Sequence, residues 1–563
     1  MAGSITTVSA RELAERLGVT HTLAEHLRRL GHAGDEVTAR FLEPKLRDLT
    51  PPDQMADRAA AAARIARAIR ARERVVVFGD YDCDGITATA ILSEVIEALG
   101  GLVTPLLASR FGGGYGVSEE ALERILAVEP ALLVTCDCGS SDHVTLRKAV
   151  ARGVDVVVID HHLVPEEKLP ALAFLNPHRS ECEFPYKGLA SCGLALSVAA
   201  ALRAELGAQL DVRRWLDLVA IGSVADVAPL DGDNRALVRA GLRVLSEATR
   251  PGVRALLEVA GMDVGAPLTA EDIAFRLAPR LNAPGRLGAP DASLALLRAR
   301  TLDEARGLAA QIEQQCVARR EQQGRIIDEA LEEIRREGYA ERPAVVVGRQ
   351  GWNHGIVGIV AGRLADDLKM PVLVIGFEGD VGRGSLRGPP GARLFDALGR
   401  VSDVLVRHGG HQAAAGLEVR FERLTELRAR FEDSCRALEF DAAQDELPPL
   451  ALASGEDPAQ VLKDLYRLEP CGLGNPAPTL SVDGELLVAR EVKGGHLKLE
   501  VLLEGGRRLG GFGPNLGAEA ETLGSHAGTR GRVQVIGSLR PDRYRGGGAV
   551  ELFVRQVLPV RSG

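Results

Sequence analysis

The sequence predicts an α/β protein of several domains: a parallel-sheet domain, a long helical connector, a smaller α/β domain and a C-terminal small β-barrel of OB-like type. Three observations predict it. Short β-branched runs end in polar loops and lead into helical stretches, as in RVVVF, GDYDCDG and ITATAILSEVIEAL over 74–99. A long amphipathic stretch fills 301–338. From about 450 onward, apolar and polar residues alternate in short runs between glycine-rich turns. A chain of 563 residues exceeds one hydrophobic core, which makes two to four domains the expectation.

Residues 1–57 read as a helical lead, with helical spacing from Ala10 to Leu17 and punctuation by Pro44, Pro51 and Pro52. An alanine-rich helix at 58–72 opens a domain expected to run over 58–300. Its strands RVVVF, ALLVT and VDVVVI end at Phe78, Thr135 and Ile159. Continuous apolar runs of this kind suit strands buried on both faces of a parallel sheet. The section from about 190 to 335 reads as mostly helical. Ile312, Ile326, Ile327, Leu331 and Ile334 line one side of a connecting helix over 301–338. A second α/β module over 339–440 starts with strands at 344–348 and 371–377. The tail, 450–563, carries GELLVAREV, HLKLEVLL, RVQVIGSL and AVELFVRQV, the pattern of a small barrel.

Hydrophobic residues make up 46% and charged residues 26%, which places the chain among soluble globular proteins. The formal charge is −9, from 68 basic and 77 acidic residues, so nucleic-acid binding requires basic groups gathered locally. Eight cysteines without a CxxC pair suggest neither a disulfide framework nor a structural zinc site. The opening MAGSITTVSARELAERLGV lacks the apolar core of a signal peptide, and no apolar stretch reaches membrane-spanning length. A cytoplasmic protein without membrane attachment is the expectation. No Walker A pattern occurs, which disfavours P-loop nucleotide hydrolysis.

The chemistry is concentrated at strand ends. Asp80, Asp82 and Asp84 alternate after the first strand and, in an extended segment, would point to one side. Asp137 follows the second, Asp160, His161 and His162 the third, and Asp226 ends the apolar run in IGSVADVAPLD. Loops at the carboxyl ends of parallel strands share one sheet edge. Carboxylates converging there repel one another and require cations. Hard oxygens with one or two imidazoles suit Mn²⁺ or Mg²⁺. Two such ions can polarise a phosphoryl oxygen, generate hydroxide and stabilise the leaving oxygen. Taken singly, each Asp is equally a turn residue or a helix cap; their joint occurrence in this order argues for a site. Cys83, Cys136 and Cys138 read as packing residues.

Basic groups recur further on. Arg280, Asn282 and Arg286 lie in APRLNAPGRLG, read as a loop, where guanidinium groups match phosphate oxygens. Arg383 and Arg387 frame Gly384 and Ser385, whose exposed amides would cradle a phosphate. His411 lies in GGHQAAAG. Arg540, Arg543, Tyr544 and Arg545 share LRPDRYRGGG, read as a loop between barrel strands that either binds single strands or is a plain hairpin tip.

Taken together, FLEPKLRDLTPPDQM, FGDYDCDGITATAIL, TCDCGSS, VIDHHL, NPHRSECEFPYKGLASCGLAL, GSVADVAPL, APRLNAPGRLG, GWNHGIVGIVAGRLA, GRGSLRG, GGHQAAAGL and CGLGNPAP resemble the DHH phosphoesterase superfamily. The resemblance is to its DHHA1-bearing single-strand DNA exonucleases and runs nearly end to end. It implies one ion held by Asp82 and Asp137 with Asp80 nearby. It implies a second held by Asp84, Asp137, His161 and Asp226, with Asp137 bridging. His162 would face the scissile phosphate, and Asp160 would orient the histidines. The DHHA1 module would grip the nucleotide, with Arg110 at the 5′-terminal phosphate. The implied activity is 5′→3′ hydrolysis of single-stranded DNA to mononucleotides in recombination and repair. The implied partners are a helicase and a single-strand-binding protein, with a monomer as default. Two departures stand out: Phe78 replaces a His or small residue, and Cys83 replaces Ala or Val. The rivals are a phosphodiesterase for short oligoribonucleotides or cyclic dinucleotides, and a non-catalytic DNA-binding replication scaffold. The full acid set argues against the scaffold.

Overall fold

A computed structural model describes residues 8–411, 414–436, 447–528, 531–542, 545–546 and 548–560. The chain forms two compact units, one of Thr50–Ala228 and Gly232–Glu446, the other of Met1–Leu49, Pro229–Asp231 and Leu447–Gly563.

The larger unit begins with five parallel strands: β1 (Arg74–Gly79), β2 (Leu102–Leu107), β3 (Leu132–Cys136), β4 (Asp155–Ile159) and β5 (Ala173–Leu175). Their order is β2-β1-β3-β4-β5. Val76, Phe78, Leu133, Val156 and Val158 face a core closed by Leu122, Ile125 and Leu146. Val75, Val77, Val134 and Val157 are buried on the other face, which the helices Cys83–Ala98 and Ser191–Glu205 cover. Burial on both faces explains the unbroken apolar runs. The strand signals at Phe78, Thr135 and Ile159 match β1, β3 and β4. β2 and β5 gave none. Both are edge strands; β2 is only partly buried and contains Pro105, and β5 has three residues. Strand order reverses between β1 and β3, and the cleft at their carboxyl ends is where ligands bind in such sheets.

One helix, Leu302–Glu337, follows; at 36 residues it is about 54 Å long. Thr301 caps its start by accepting from Glu304 N–H, and Gly338 ends it at φ 65°. Ile312, Ile326 and Ile334 are buried along it, as the amphipathic pattern requires. The second sheet contains β6 (Val345–Gln350), β7 (Val372–Glu378), β8 (Val381–Arg387), β9 (Leu405–His411) and β10 (Ala414–Arg420). Its order is β6-β7-β8-β10-β9, with only β6 and β7 parallel.

In the smaller unit, β12 (Leu480–Val492), β13 (His496–Leu502), β14 (Arg508–Gly513), β15 (Arg532–Pro541) and β16 (Val550–Pro559) form a barrel, and the short β11 (Leu450–Ala451) pairs with β12. Strands run β12-β13-β14-β16-β15, and β15 closes it by pairing with β12. Closure removes the edges that would otherwise pair with other chains. The N-terminal helices belong to this unit. Leu23, Leu27 and Leu42 pack with Leu468, and Asp464 accepts from Thr20 N–H at 2.7 Å. Among the described residues no helix is long and apolar enough to cross a membrane.

His26 gives this unit an acid-sensitive point. It is 3% exposed, and burial, with Arg29 and His32 adding to it, lowers its pKa from 6.5 to about 4. The folded value lies below the unfolded one, so the associated stability is full above pH 6.5 and is lost as pH falls towards 4. The loss amounts to about 3 kcal/mol. Replacing His26 by Leu is expected to flatten the unfolding free energy across that window. Identical slopes for both proteins in urea titrations would contradict this.

Candidate metal centre

β1 delivers Asp80, whose N–H donates to Cys136 C=O at 3.2 Å. Asp82 is the N-cap of the helix Cys83–Ala98 and accepts from Asp84 N–H (3.0 Å) and Gly85 N–H (3.2 Å). The segment is therefore not extended as the alternation suggested. The orphan amides at a helix start, two of which Asp82 satisfies, outweigh the alternation, and the helix begins at Cys83 rather than near Ile86. A side chain at Gly85 would place its Cβ 2.5 Å from the Asp80 backbone, so only glycine lets the helix close onto the strand end. Asp84 then reaches the start of the helix Ser191–Glu205, accepting from Ser191 N–H (2.7 Å) and Cys192 N–H (2.9 Å).

Asp137 follows β3 in the left-handed region, at φ 62°, and its carboxylate accepts from Ser191 Oγ at 3.1 Å. Asp160 follows β4 and is fully buried. Its Oδ1 accepts from His161 N–H (2.8 Å), His162 N–H (3.2 Å) and His162 Nδ1 (2.7 Å); its Oδ2 accepts from Ser140 N–H (3.1 Å). Asn176, just past β5, holds the same turn by donating to His162 C=O at 2.8 Å. Asp226 closes the helix Leu216–Ala225. His161 Nε2 lies 3.3 Å from Asp137 Oδ1, 3.6 Å from Asp226 Oδ2 and 3.9 Å from Asp84 Oδ2. Three groups thus each present ligand atoms within 4.8 Å of one another: Asp80, Asp82 and Asp137; Asp84, His161 and Asp226; and Asp137, His161 and His162.

Burial pushes Asp80 and Asp137 well above the carboxylate range, and neighbouring carboxylates push the same way. Burial, then Asp84 and Asp82, raise Asp226 to about 8. Asp160 differs. Burial pushes it up, but the His162 hydrogen bond and charge outweigh burial and hold it below the usual range. The reciprocal effect raises His162 to about 9 despite its own burial. Asp80 Oδ1 and His161 Nε2 are buried without a hydrogen-bond partner. Mutually repelling carboxylates with orphaned donor atoms fit a hard divalent cation. Burial raises the thiols of Cys83, Cys136 and Cys138, and Cys83 donates to Ala278 C=O at 3.6 Å. Phe78 is core.

A cavity of about 290 Å³ is lined by Arg110, Arg286, His354, Gly355, Ser385 and Arg387, among others. Arg110 lies 4.3 Å over the Tyr81 ring, with its Nε unpartnered. Burial, then Arg110 and Arg319, lower Arg286 to about 10; burial and Arg110 lower Arg387. Among the described residues, Arg110, Arg286 and Arg387 form no ion pair with a carboxylate. Half-buried cations without acids make a candidate anion site.

Other expected contacts are placed differently. APRLNAPGRLG forms two short helices, Ala278–Leu281 and Ala283–Leu287, and not a loop; Pro279 and Pro284 occupy first-turn positions that need no N–H. Arg280 forks onto Glu313 at 2.6 and 3.2 Å, so its guanidinium is occupied within the fold. Asn282 has a buried, unpartnered Oδ1. Gly384 lies in β8 between β7 and β10, where sheet pairing takes the amides that were expected to be exposed. Ser385 meets the cavity by its side chain. Arg383 pairs with Glu418 at 2.8 Å. His411 ends β9, and its side chain lies outside the described residues, as do Arg543 and Tyr544. Arg545 faces Glu500 and Asp542 at 3.7 and 3.8 Å. Arg540 lies in β15, paired with Glu551 at 2.8 Å and 4.6 Å over the Phe553 ring.

Residues 74–223 match the DHH family, N-terminal domain; 342–437 the DHHA1 domain; and 452–556 the RecJ OB domain. The single-stranded-DNA-specific exonuclease RecJ of Dickeya dadantii is 36% identical over 544 residues, covering 92% of this chain and 93% of that one. The chain belongs to the RecJ family. The Bacillus subtilis RecJ is 34% identical over 482 residues; the match covers 85% of this chain and 60% of that longer relative. The crystal structure of Thermus thermophilus RecJ in complex with Mn²⁺ superposes with a TM-score of 0.82 at 29% identity, covering 98% of this chain and 78% of that one.

In this RecJ-family chain, sequence reasoning did not single out Ser191, Asn176, Tyr115 or Arg319. Tyr115 donates its hydroxyl to Asp137 C=O at 3.1 Å and lies 3.0 Å from His162 Nδ1. Arg319 comes from the connecting helix; it is 9% exposed, its Nε unpartnered, with Gln323 Oε1 at 2.7 Å. Of these only Asn176 follows a strand, β5, which gave no strand signal. Asn176 and Ser191 both lie in NPHRSECEFPYKGLASCGLAL, and for Ser191 a helix start facing paired carboxylates was the available signal.

Proposed function

We propose that this chain is a single-strand-specific DNA exonuclease that works from the 5′ end and releases mononucleotides, with two Mn²⁺ or Mg²⁺ ions. The observation that carries the reading is the pair of ligand groups, Asp80–Asp82–Asp137 and Asp84–His161–Asp226, drawn together by Asp137 and His161 (3.3 Å apart) near a cavity of acid-free guanidinium groups. Asp82 and Asp137, with Asp80, would hold one ion; Asp84, Asp137, His161 and Asp226 would hold the other. Bound there, the ions supply Lewis acidity to the phosphoryl oxygen and lower the pKa of the attacking water.

The chain's own groups do the rest. Asp160 fixes both histidine amides and keeps a proton on His162 Nδ1, so the imidazolium faces the phosphate as a charge stabiliser and proton donor. Arg110, Arg286 and Arg387 hold the terminal phosphate, which sets polarity by admitting a chain end. Domain roles follow: 58–300 for hydrolysis, 339–440 for grip and 450–563 for holding the strand. The family resemblance adds a helicase and a single-strand-binding protein as partners.

The test uses a long single-stranded DNA labelled at its 5′ or 3′ end, with Mn²⁺ or chelator. Immediate, metal-dependent release of the 5′ label as mononucleotide is expected. Inertness on that strand with cleavage of dinucleotides would move the protein to the short-substrate phosphodiesterases.

A further inference from the structure

Next to the cavity lies an aromatic surface that neither the acid cluster nor the guanidinium groups use. Phe111 follows Arg110 and is 39% exposed. Its ring centroid lies 4.5 Å from that of His354, with the planes tilted by 51°. His354 itself lines the cavity. Arg383 joins the two segments: its Nη1 donates to Arg110 C=O at 3.4 Å and lies 3.5 Å from His354 Nε2. Burial, and then the Arg383 charge, hold His354 below the ordinary imidazole range. Phe111 thus presents an apolar ring at the edge of a cavity with charged walls, where a ligand with a flat face would cover it.

We propose that Phe111 and His354 form a stacking platform for the nucleobase of the strand's terminal nucleotide, whose phosphate enters the cavity. The proposal rests on the reading of that cavity as the terminal-phosphate site. Stacking on an aromatic face tolerates any base, because every base has a π face. The platform therefore distinguishes a nucleotide from an abasic residue, not one base from another.

The experiment measures KM on short 3′-labelled oligonucleotides with a 5′-phosphate, ending either in a natural base or in a tetrahydrofuran abasic residue. Wild type is expected to favour the base-bearing end by about tenfold. Phe111→Ala brings the ratio close to one, and Phe111→Tyr retains it. The ratio is taken within each variant, so a smaller folded fraction cancels. A wild-type ratio of one, or a ratio preserved in Phe111→Ala, overturns the proposal. A third arm compares 5′-phosphate with 5′-hydroxyl ends. Indifference there, with the base ratio intact, overturns the cavity reading and leaves the platform standing.

Discussion

Asp137→Asn is expected to cut single-strand hydrolysis by at least about a thousand-fold while raising thermal stability in chelator. The two effects share a cause. Asp137 belongs to the Asp80–Asp82 group and lies 3.3 Å from His161 of the other, so its loss is expected to weaken the hold on either cation. A Lewis-acid contribution of several kcal/mol, at about 1.4 kcal/mol per decade, gives the thousand-fold figure. Without cations the same carboxylate is a liability. Burial and the repulsion of Asp84, Asp82, Asp80 and Asp160 already push its pKa up. The amide removes that repulsion, still accepts from Ser191 Oγ, and tolerates the left-handed backbone at φ 62°. Melting in chelator is therefore expected to rise by about 2–4 °C. With Mn²⁺ added, only wild type gains stability by mass action. Asparagine is the better probe than alanine, which adds backbone strain of about 1 kcal/mol at this position. Normal activity in the variant would reduce Asp137 to a turn residue.

Asp160→Asn is expected to lose about 100-fold in cation affinity or rate without removing any group from the ligand triads. The carboxylate accepts from three main-chain amides and one ring nitrogen. An asparagine offers one oxygen to these four donors, and its NH₂ meets another N–H in a fully buried site. The unsatisfied donors cost about 1–3 kcal/mol each. The imidazole of His162 also loses the charge that holds its proton. The decisive measurement is the shift of melting temperature with Mn²⁺ concentration, compared between variant and wild type. A purely structural role would lower the melting point at zero Mn²⁺ and leave the shift unchanged. A weakened shift identifies Asp160 as the residue that positions His161 and His162.

By itself the sequence determined the layered α/β class, the connecting helix and the barrel tail, and it pointed to the carboxylates that the fold draws together. Those features rest on local physics: β-branched runs mark β1, β3 and β4, apolar spacing marks Leu302–Glu337, and alternation marks β12, β13, β15 and β16. Carboxylates at strand ends were legible because parallel topology sends every carboxyl terminus to one edge. Tertiary structure decided what depends on partners far along the chain. Arg280 and Arg286 lie six positions apart and look alike, yet one meets Glu313 and the other an acid-free cavity. Gly384 looked exposed until β7 and β10 enclosed its strand. Ser191, Asn176 and Tyr115 support the site through hydrogen bonds that span 54, 14 and 22 residues. Helical and strand periods report which face a side chain takes, whereas an ion pair or a buried hydrogen bond depends on what another segment brings to that face.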